Sequence, residues 1–144
     1  MSRRSASPTK NFILRIARDE WFKQVFEIKR YYPGVARRWE RDGIIFLVKR
    51  TDRGDSMVGY GVIKRFIARD DLSEKERREC ERTGWRGAIV FDELYKFEPP
   101  ILIKETILGG LKAKGRCWHG YPVTLEQAKS ILEDAKNLST IKAI

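Results

Sequence analysis

The chain has 144 residues, 42% of them apolar, with 30 Lys and Arg against 20 Asp and Glu, a formal net charge of +10. That length suits one domain with its own core, and that composition excludes a disordered or fibrous chain. Two cysteines, Cys80 and Cys117, are too few for a disulfide framework, and no apolar run is long enough to span a bilayer.

The thiols therefore read as reduced, in a cytoplasmic protein with no membrane partner. The charge is uneven. Residues 1–72 hold 17 basic and 9 acidic side chains, net +8, and residues 73–144 hold 13 and 11, net +2. A basic excess of this size concentrates polyanions and speeds their association, so the expected partner is nucleic acid, RNA or DNA. Only two Gln and two Asn occur among abundant Lys, Arg and Glu, a balance that resembles a thermophile's.

Residues 1–10, MSRRSASPTK, read as a disordered basic arm, and 11–144 as a single domain. NFILRIA, 11–17, is bounded by polar residues and predicts a strand. Asp19 is placed to cap a helix whose apolar face is Trp21, Phe22, Val25, Phe26 and Ile28. Tyr32-Pro33-Gly34 ends it, and VARRWER, 35–41, predicts one or two further helical turns. After the Asp42-Gly43 turn, IIFLVKR, 44–50, is apolar enough for a strand buried on both faces.

TDRGDS, 51–56, turns the chain into a partner strand, MVGYGVIKRF, 57–66. Alternation puts Val58, Tyr60 and Val62 on one face and Gly59 and Gly61 on the other. Two glycines on one face let a packed helix or a ligand approach the backbone. SEKERRECER, 73–82, opens with a capping box of Ser73 and Glu76 and predicts an exposed charged helix, an insertion near 72–84. RGAIVFDELYKF, 86–97, begins as a strand, Pro99-Pro100 breaks it, and ILIKETI, 101–107, predicts another. Gly109-Gly110 reads as a turn. A second capping box, Thr124 and Gln127, starts a helix with the stripe Leu125, Ala128, Ile131, Leu132 and Ala135. Strands that follow one another without helical crossovers predict an α+β fold with a curled, mixed, barrel-like sheet flanked by helices.

The stretch GRCWHGYPVTLEQA, 115–128, gathers the only histidine, His119, with Cys117 and Trp118. A Cys117–His119 nucleophile would need a third group to orient the base, and none is obvious. Cys80, Cys117 and His119 lack the paired spacing of a metal site, and Gly110 to Cys117 lacks the lysine and hydroxyl of a phosphate loop. No catalytic residue, metal or cofactor is expected. The better signal is tryptophan interleaved with arginine, in Arg37-Arg38-Trp39-Glu40-Arg41, Trp85-Arg86 and Arg116-Cys117-Trp118-His119. Arginine holds phosphate while bases stack on tryptophan. If the stretch is extended, Trp118 points away from His119 and Tyr121, and Gly120 permits a bend that changes this.

In order and local pattern the chain resembles a PUA-like domain of the EVE type, a group related to the YTH and ASCH domains. The residues that carry the likeness are Trp39 after the first strand and helix, DGIIFLVKR, Val58-Gly59-Tyr60-Gly61-Val62-Ile63, Arg116 to Thr124, and the closing helix Leu125 to Leu132. It departs from the pattern at Asp42-Gly43, at Phe12 and in the charged segment 72–84. The resemblance implies a pocket that accepts a base, often a modified one flipped from its strand. Trp39 and Trp118 are then the stacking walls, His119 and Tyr121 the edge contacts, and Gly59 and Gly61 the space for the ring.

The expected function is non-catalytic nucleic-acid binding. Candidate contacts are Arg37, Arg38, Trp39, Arg41, Lys49, Arg50, Tyr60, Lys64, Arg65, Trp85, Lys114, Arg116, Trp118, His119 and Tyr121. The alternatives are a small hydrolase of a modified nucleoside in the same fold and a protein-interaction module built on helix 73–82.

Overall fold

The computed structural model describes residues 9–110 and 118–144. In chain order these form β1 (Asn11–Arg15), α1 (Asp19–Ile28), β2 (Arg30–Tyr31), β3 (Ile44–Thr51), β4 (Gly54–Ala68), α2 (Glu74–Thr83), β5 (Gly87–Leu102), β6 (Tyr121–Val123), α3 (Leu125–Leu138) and β7 (Thr140–Ala143). The expected N-terminal arm falls almost wholly outside the described residues.

The strands make one open, mixed sheet in the order β2-β5-β4-β3-β1-β6, with β7 also paired to β5. β1 and β3 run parallel, and every other pairing is antiparallel. The α+β expectation therefore holds. β4 and β5 span 15 and 16 residues. Their register shifts three times, and such bulges let long strands bend.

The sheet separates two layers of apolar packing. On one face Phe12, Leu14, Ile45, Leu47, Ile63 and Ile89 meet α1 through Val25, Phe22 and Phe26. On the reverse face Ile13, Phe46, Val48 and Phe97 meet α3 through Ala128, Ile131 and Ala135. Ile45 to Val48 are all fully buried, as a strand covered on both sides requires. A third cluster, also on the reverse face, joins Cys80 of α2 to Ala88, with Ile67, Tyr32 and Trp85 packed around it.

Several local expectations change. Residues 35–41 form no helix. Arg37 instead donates to the carbonyls of Ala36 and Gly120 at 2.7 and 2.9 Å, and Trp39 packs edge-on against Phe12 with ring centroids 5.3 Å apart. A single helical turn has little stability of its own and yields to these anchors. Pro99-Pro100 does not end β5. The β4–β5 pairing jumps from Gly59 opposite Lys96 to Met57 opposite Ile101, so both prolines lie where that ladder is interrupted. The strand stops at Leu102, where a 3-10 turn over Ile103–Glu105 is held by the Thr106 hydroxyl donating to the Ile103 carbonyl at 2.7 Å. Gly109-Gly110 closes a second such segment, Ile107–Gly110.

Asp19 lies inside α1 rather than capping it, and pairs with Lys49 at 2.6 Å. The two capping hydroxyls are in place. Ser73 accepts from the Glu76 amide at 3.3 Å, and Thr124 and Gln127 bond reciprocally at 3.0 Å each. The glycine face of β4 is occupied by packing. A Cβ on Gly59 would meet the Tyr95 carbonyl at 2.2 Å and the Phe26 ring at 3.2 Å, and one on Gly61 would meet the Phe91 ring at 2.4 Å. Phe26 and Phe91 thus fill the room expected for a base. Val58 is the extra residue of a bulge, so it joins the α1 layer while Tyr60 joins the α3 layer.

Candidate nucleic-acid interface

β2 is a two-residue edge strand, and its brevity shapes the site. α1 approaches that edge from one face and α2 from the other. Between them opens a cleft of about 610 Å³. α1 contributes Glu20, Trp21, Gln24 and Glu27; α2 contributes Lys75, Glu76 and Glu79; Tyr32 and Trp85 complete it.

The aromatic wall is well defined. Trp85 stacks on Tyr32 with centroids 5.2 Å apart and planes 16° from parallel. Trp21 meets Trp85 edge-on at 5.6 Å. All three rings are half-buried rather than sealed in the core. Since Tyr32 and Trp85 already touch, a flat ligand stacks on the group from outside and does not slot between them.

Polar contacts fix this wall. Glu76 accepts from Arg30 and from the Tyr32 hydroxyl, each at 2.7 Å, tying α2 to β2. Burial pushes the Glu76 carboxyl up, but the bonds from Tyr32, Arg30 and Ser73 outweigh it and hold the group below the usual glutamate range. Burial, then the Glu76 carboxylate, push the Tyr32 hydroxyl up to about 12. Arg69 donates to the Trp85 carbonyl at 3.4 Å and Arg86 to the Gly34 carbonyl at 3.3 Å, so the loop carrying Trp85 is braced on both sides. Four of the lining side chains are carboxylates against one lysine, unlike the basic chain as a whole.

The sequence-predicted residues divide into groups. Trp85 lies in the cleft. Trp39 is 9% exposed and Trp118 3% exposed, and they belong to opposite layers of the sheet. They are core residues and do not form two walls of one pocket. Tyr121 packs edge-on against Trp118 at 5.2 Å, so these two share a face after all. Gly120, at φ +78, supplies the bend. His119 accepts a hydrogen bond at Nδ1 from the Arg15 amide at 3.1 Å, a structural bond that fixes the turn. Burial and then the Arg37 charge lower its pKa.

Arg37 and Arg38 flank a shallow hollow of about 700 Å³ over Phe12 and Pro122. Arg41, Arg50, Lys64 and Arg65 are exposed, whereas Lys49 is engaged by Asp19. Arg65 lies beside Val90, which on its other side pairs with Arg30, so Arg65 and Arg30 share one cross-strand row near the cleft. Tyr60 stacks on Tyr95 at 4.8 Å, away from the cleft. Lys114, Arg116 and Cys117 fall outside the described residues.

Sequence reasoning missed Tyr32, Gln24 and Glu27, and gave Trp21 to the core. The available signal was the polar stripe Glu20, Gln24, Glu27 at helical spacing beside Trp21.

No family model and no curated protein matches the chain. Solved structures do. An ASCH protein from Zymomonas mobilis superposes with a TM-score of 0.62 at 14% identity, covering 91% of this chain and 96% of that one. A serine-to-alanine mutant of it gives 0.62 at 13% identity over 93% and 100%, and a tyrosine-to-phenylalanine mutant 0.62 at 14% over 91% and 99%. At such identity the likeness speaks for architecture: the chain has a PUA-like fold, with ASCH domains as its structural neighbours.

Proposed function

We propose that the protein binds RNA or DNA without transforming it, taking one base into the α1–α2 cleft while basic side chains outside it hold the backbone. The observation that carries this reading is the half-buried Trp21, Tyr32 and Trp85 group in a cleft of about 610 Å³ on a chain of net charge +10. A nucleobase fits a cleft of that size. Stacking on the aromatic wall contributes about 1–3 kcal/mol per base. That offsets the few kcal/mol needed to unstack the base from its strand. The carboxylates of the cleft repel phosphate, so the backbone runs along Arg65, Arg69 and Arg86 rather than through it. Placement in the EVE branch rests on the sequence patterns of β4 and the closing helix, and cytoplasmic residence on the thiols.

The test is fluorescence anisotropy with short labelled oligonucleotides at two salt concentrations. Trp85→Ala should weaken binding about tenfold, the middle of the stacking range, with helical circular dichroism retained. Unchanged affinity in a folded Trp85→Ala protein rejects the cleft as the base site.

A second reading is hydrolysis of a modified nucleoside, and the four glutamates beside the tryptophans favour it. A general base works best with a pKa near 7, whereas Glu76 is held below its usual range and is tied to Arg30 and Tyr32. Glu20, Glu27 and Glu79 remain as candidates. Chromatography of modified nucleosides incubated with the protein separates the two readings: product formation that Glu27→Gln abolishes establishes the enzyme.

A further inference from the structure

We propose that the cleft prefers a base carrying an exocyclic amino group, adenine or cytosine over uracil or thymine, and that Gln24 and Glu27 of α1 read that edge. The inference rests on the cleft being the base site.

Three observations lead to it. Gln24 and Glu27 stand one turn apart on the same side of α1, both lining the cleft. Glu20 is paired with Arg18, Glu79 with Arg82 and Glu76 with Arg30. Glu27 has no hydrogen bond or ion pair among the described residues, which leaves it as an uncommitted, acceptor-only group.

Gln24 is half-buried and its carboxamide has no hydrogen-bond partner among the described residues. It lines a small inner recess as well as the cleft, and the recess measures about 20 Å³. That is room for one water or one small substituent, far too little for a ring.

Tyr31 lines the same recess from β2. It is 7% exposed, and its hydroxyl also has no partner among the described residues. Burial pushes that hydroxyl well above the ordinary tyrosine range, so it stays protonated. Unpaired polar groups at such depth are costly, and a ligand's edge group or a water satisfies them.

The chemistry then selects the base. Glutamate accepts from the cytosine amino group, and glutamine bonds adenine through its amino and ring nitrogens. Uracil and thymine turn a carbonyl oxygen toward the same carboxylate, which repels it.

The experiment compares a short oligocytidylate with an oligouridylate of equal length, identical in charge and ring size. Wild-type protein should bind the cytidylate about tenfold tighter, the scale of one good edge contact. Gln24→Leu and Glu27→Leu should each lower that ratio to about threefold or less. Both substitutions place a good helix former on the helix surface, and thermal melting confirms folding. Equal wild-type affinity for the two oligomers, with both weakened in Trp85→Ala, overturns the preference and leaves the cleft as the base site. A preference that survives intact in both leucine variants overturns the assignment to these residues. Wild-type binding of both oligomers by Trp85→Ala removes the cleft itself and this inference with it.

Discussion

Glu76 is the most informative single position for the architecture of the cleft. Its carboxylate accepts from Arg30 and Tyr32 at 2.7 Å each, and both partners come from the β2 edge while Glu76 comes from α2. Glu76→Gln keeps the shape and one acceptor oxygen but removes the charge. Charge-assisted hydrogen bonds contribute about 1.5–3 kcal/mol each when dry. The Arg30 and Glu76 side chains are 28% and 27% exposed, so solvent screens the pair, and about 2 kcal/mol is the reasonable loss. For a chain of this length that lowers Tm by roughly 6–8 °C.

The pH dependence has a definite sign. Folding lowers the Glu76 pKa, so the stabilisation is complete above the unfolded glutamate value of about 4.3 and disappears as pH falls through the folded value. Circular-dichroism melting of both proteins between neutral and acidic pH measures this. The Tm deficit of Glu76→Gln should be full at neutrality and close towards acid, where wild-type Glu76 is itself protonated. Equal Tm values at neutral pH, or a deficit that persists unchanged in acid, refutes the ionic tie between α2 and the sheet.

Gly59→Ala should destabilise by about 3 kcal/mol, the upper part of the overpacking range, because the added carbon meets a backbone carbonyl at 2.2 Å and not a movable side chain; urea denaturation measures it. The His119 ring should titrate with a midpoint below the usual value of about 6.5 by proton NMR, because burial and Arg37 disfavour its cation. The unfolded state then binds the proton more readily, so His119 stabilises the fold fully above its unfolded pKa and less as pH falls below it. Binding should fall linearly in a plot of log affinity against log salt, and replacing Arg65 and Arg86, which lie along the proposed backbone path, with serine should reduce that slope by about 1.4–1.8, the loss of two phosphate contacts.

The layers of the fold were legible in the sequence because period-2 and period-3.6 apolar patterns report directly on which faces are covered. β1, β3, α1 and α3 follow from those patterns. β2 and β7 were not legible, since they are short edge strands whose pairing is decided by β5 rather than by their own residues. The tryptophans show a different limit. In an extended segment neighbours point to opposite sides, so Arg38 and Glu40 face water because Trp39 faces Phe12. A tryptophan flanked by charges in sequence is therefore compatible with full burial, and the Arg-Trp motif overcounted the exposed aromatics. The cleft escaped for a related reason. Its rings come from positions 21, 32 and 85, brought together only when α2 folds back over the β2 edge.

That dependence on α2 gives a decisive whole-element test. Ala68 and Gly87 pair across the hairpin on either side of the α2 segment, so a short Gly-Ser turn in place of residues 70–85 can rejoin β4 to β5. The α1 and α3 layers contain no buried side chain from α2, and the side chains newly exposed are Ala88, Ile67, Tyr32 and the Trp21 ring that packs on Trp85. The shortened protein should therefore keep its sheet and melt cooperatively, with reduced stability. It loses Trp85, Lys75, Glu76 and Glu79, one whole side of the cleft, while the α1 side remains, as do Arg65, Arg69 and Arg86 outside it. Base-dependent affinity should vanish and a weak, strongly salt-dependent attraction to any oligonucleotide should persist, because the phosphate contacts carry no base information. If the shortened protein still prefers one base over another, selection resides on the sheet or in the Arg37–Arg38 hollow. In that case α2 is a brace for the β2 edge and not a wall of the binding site.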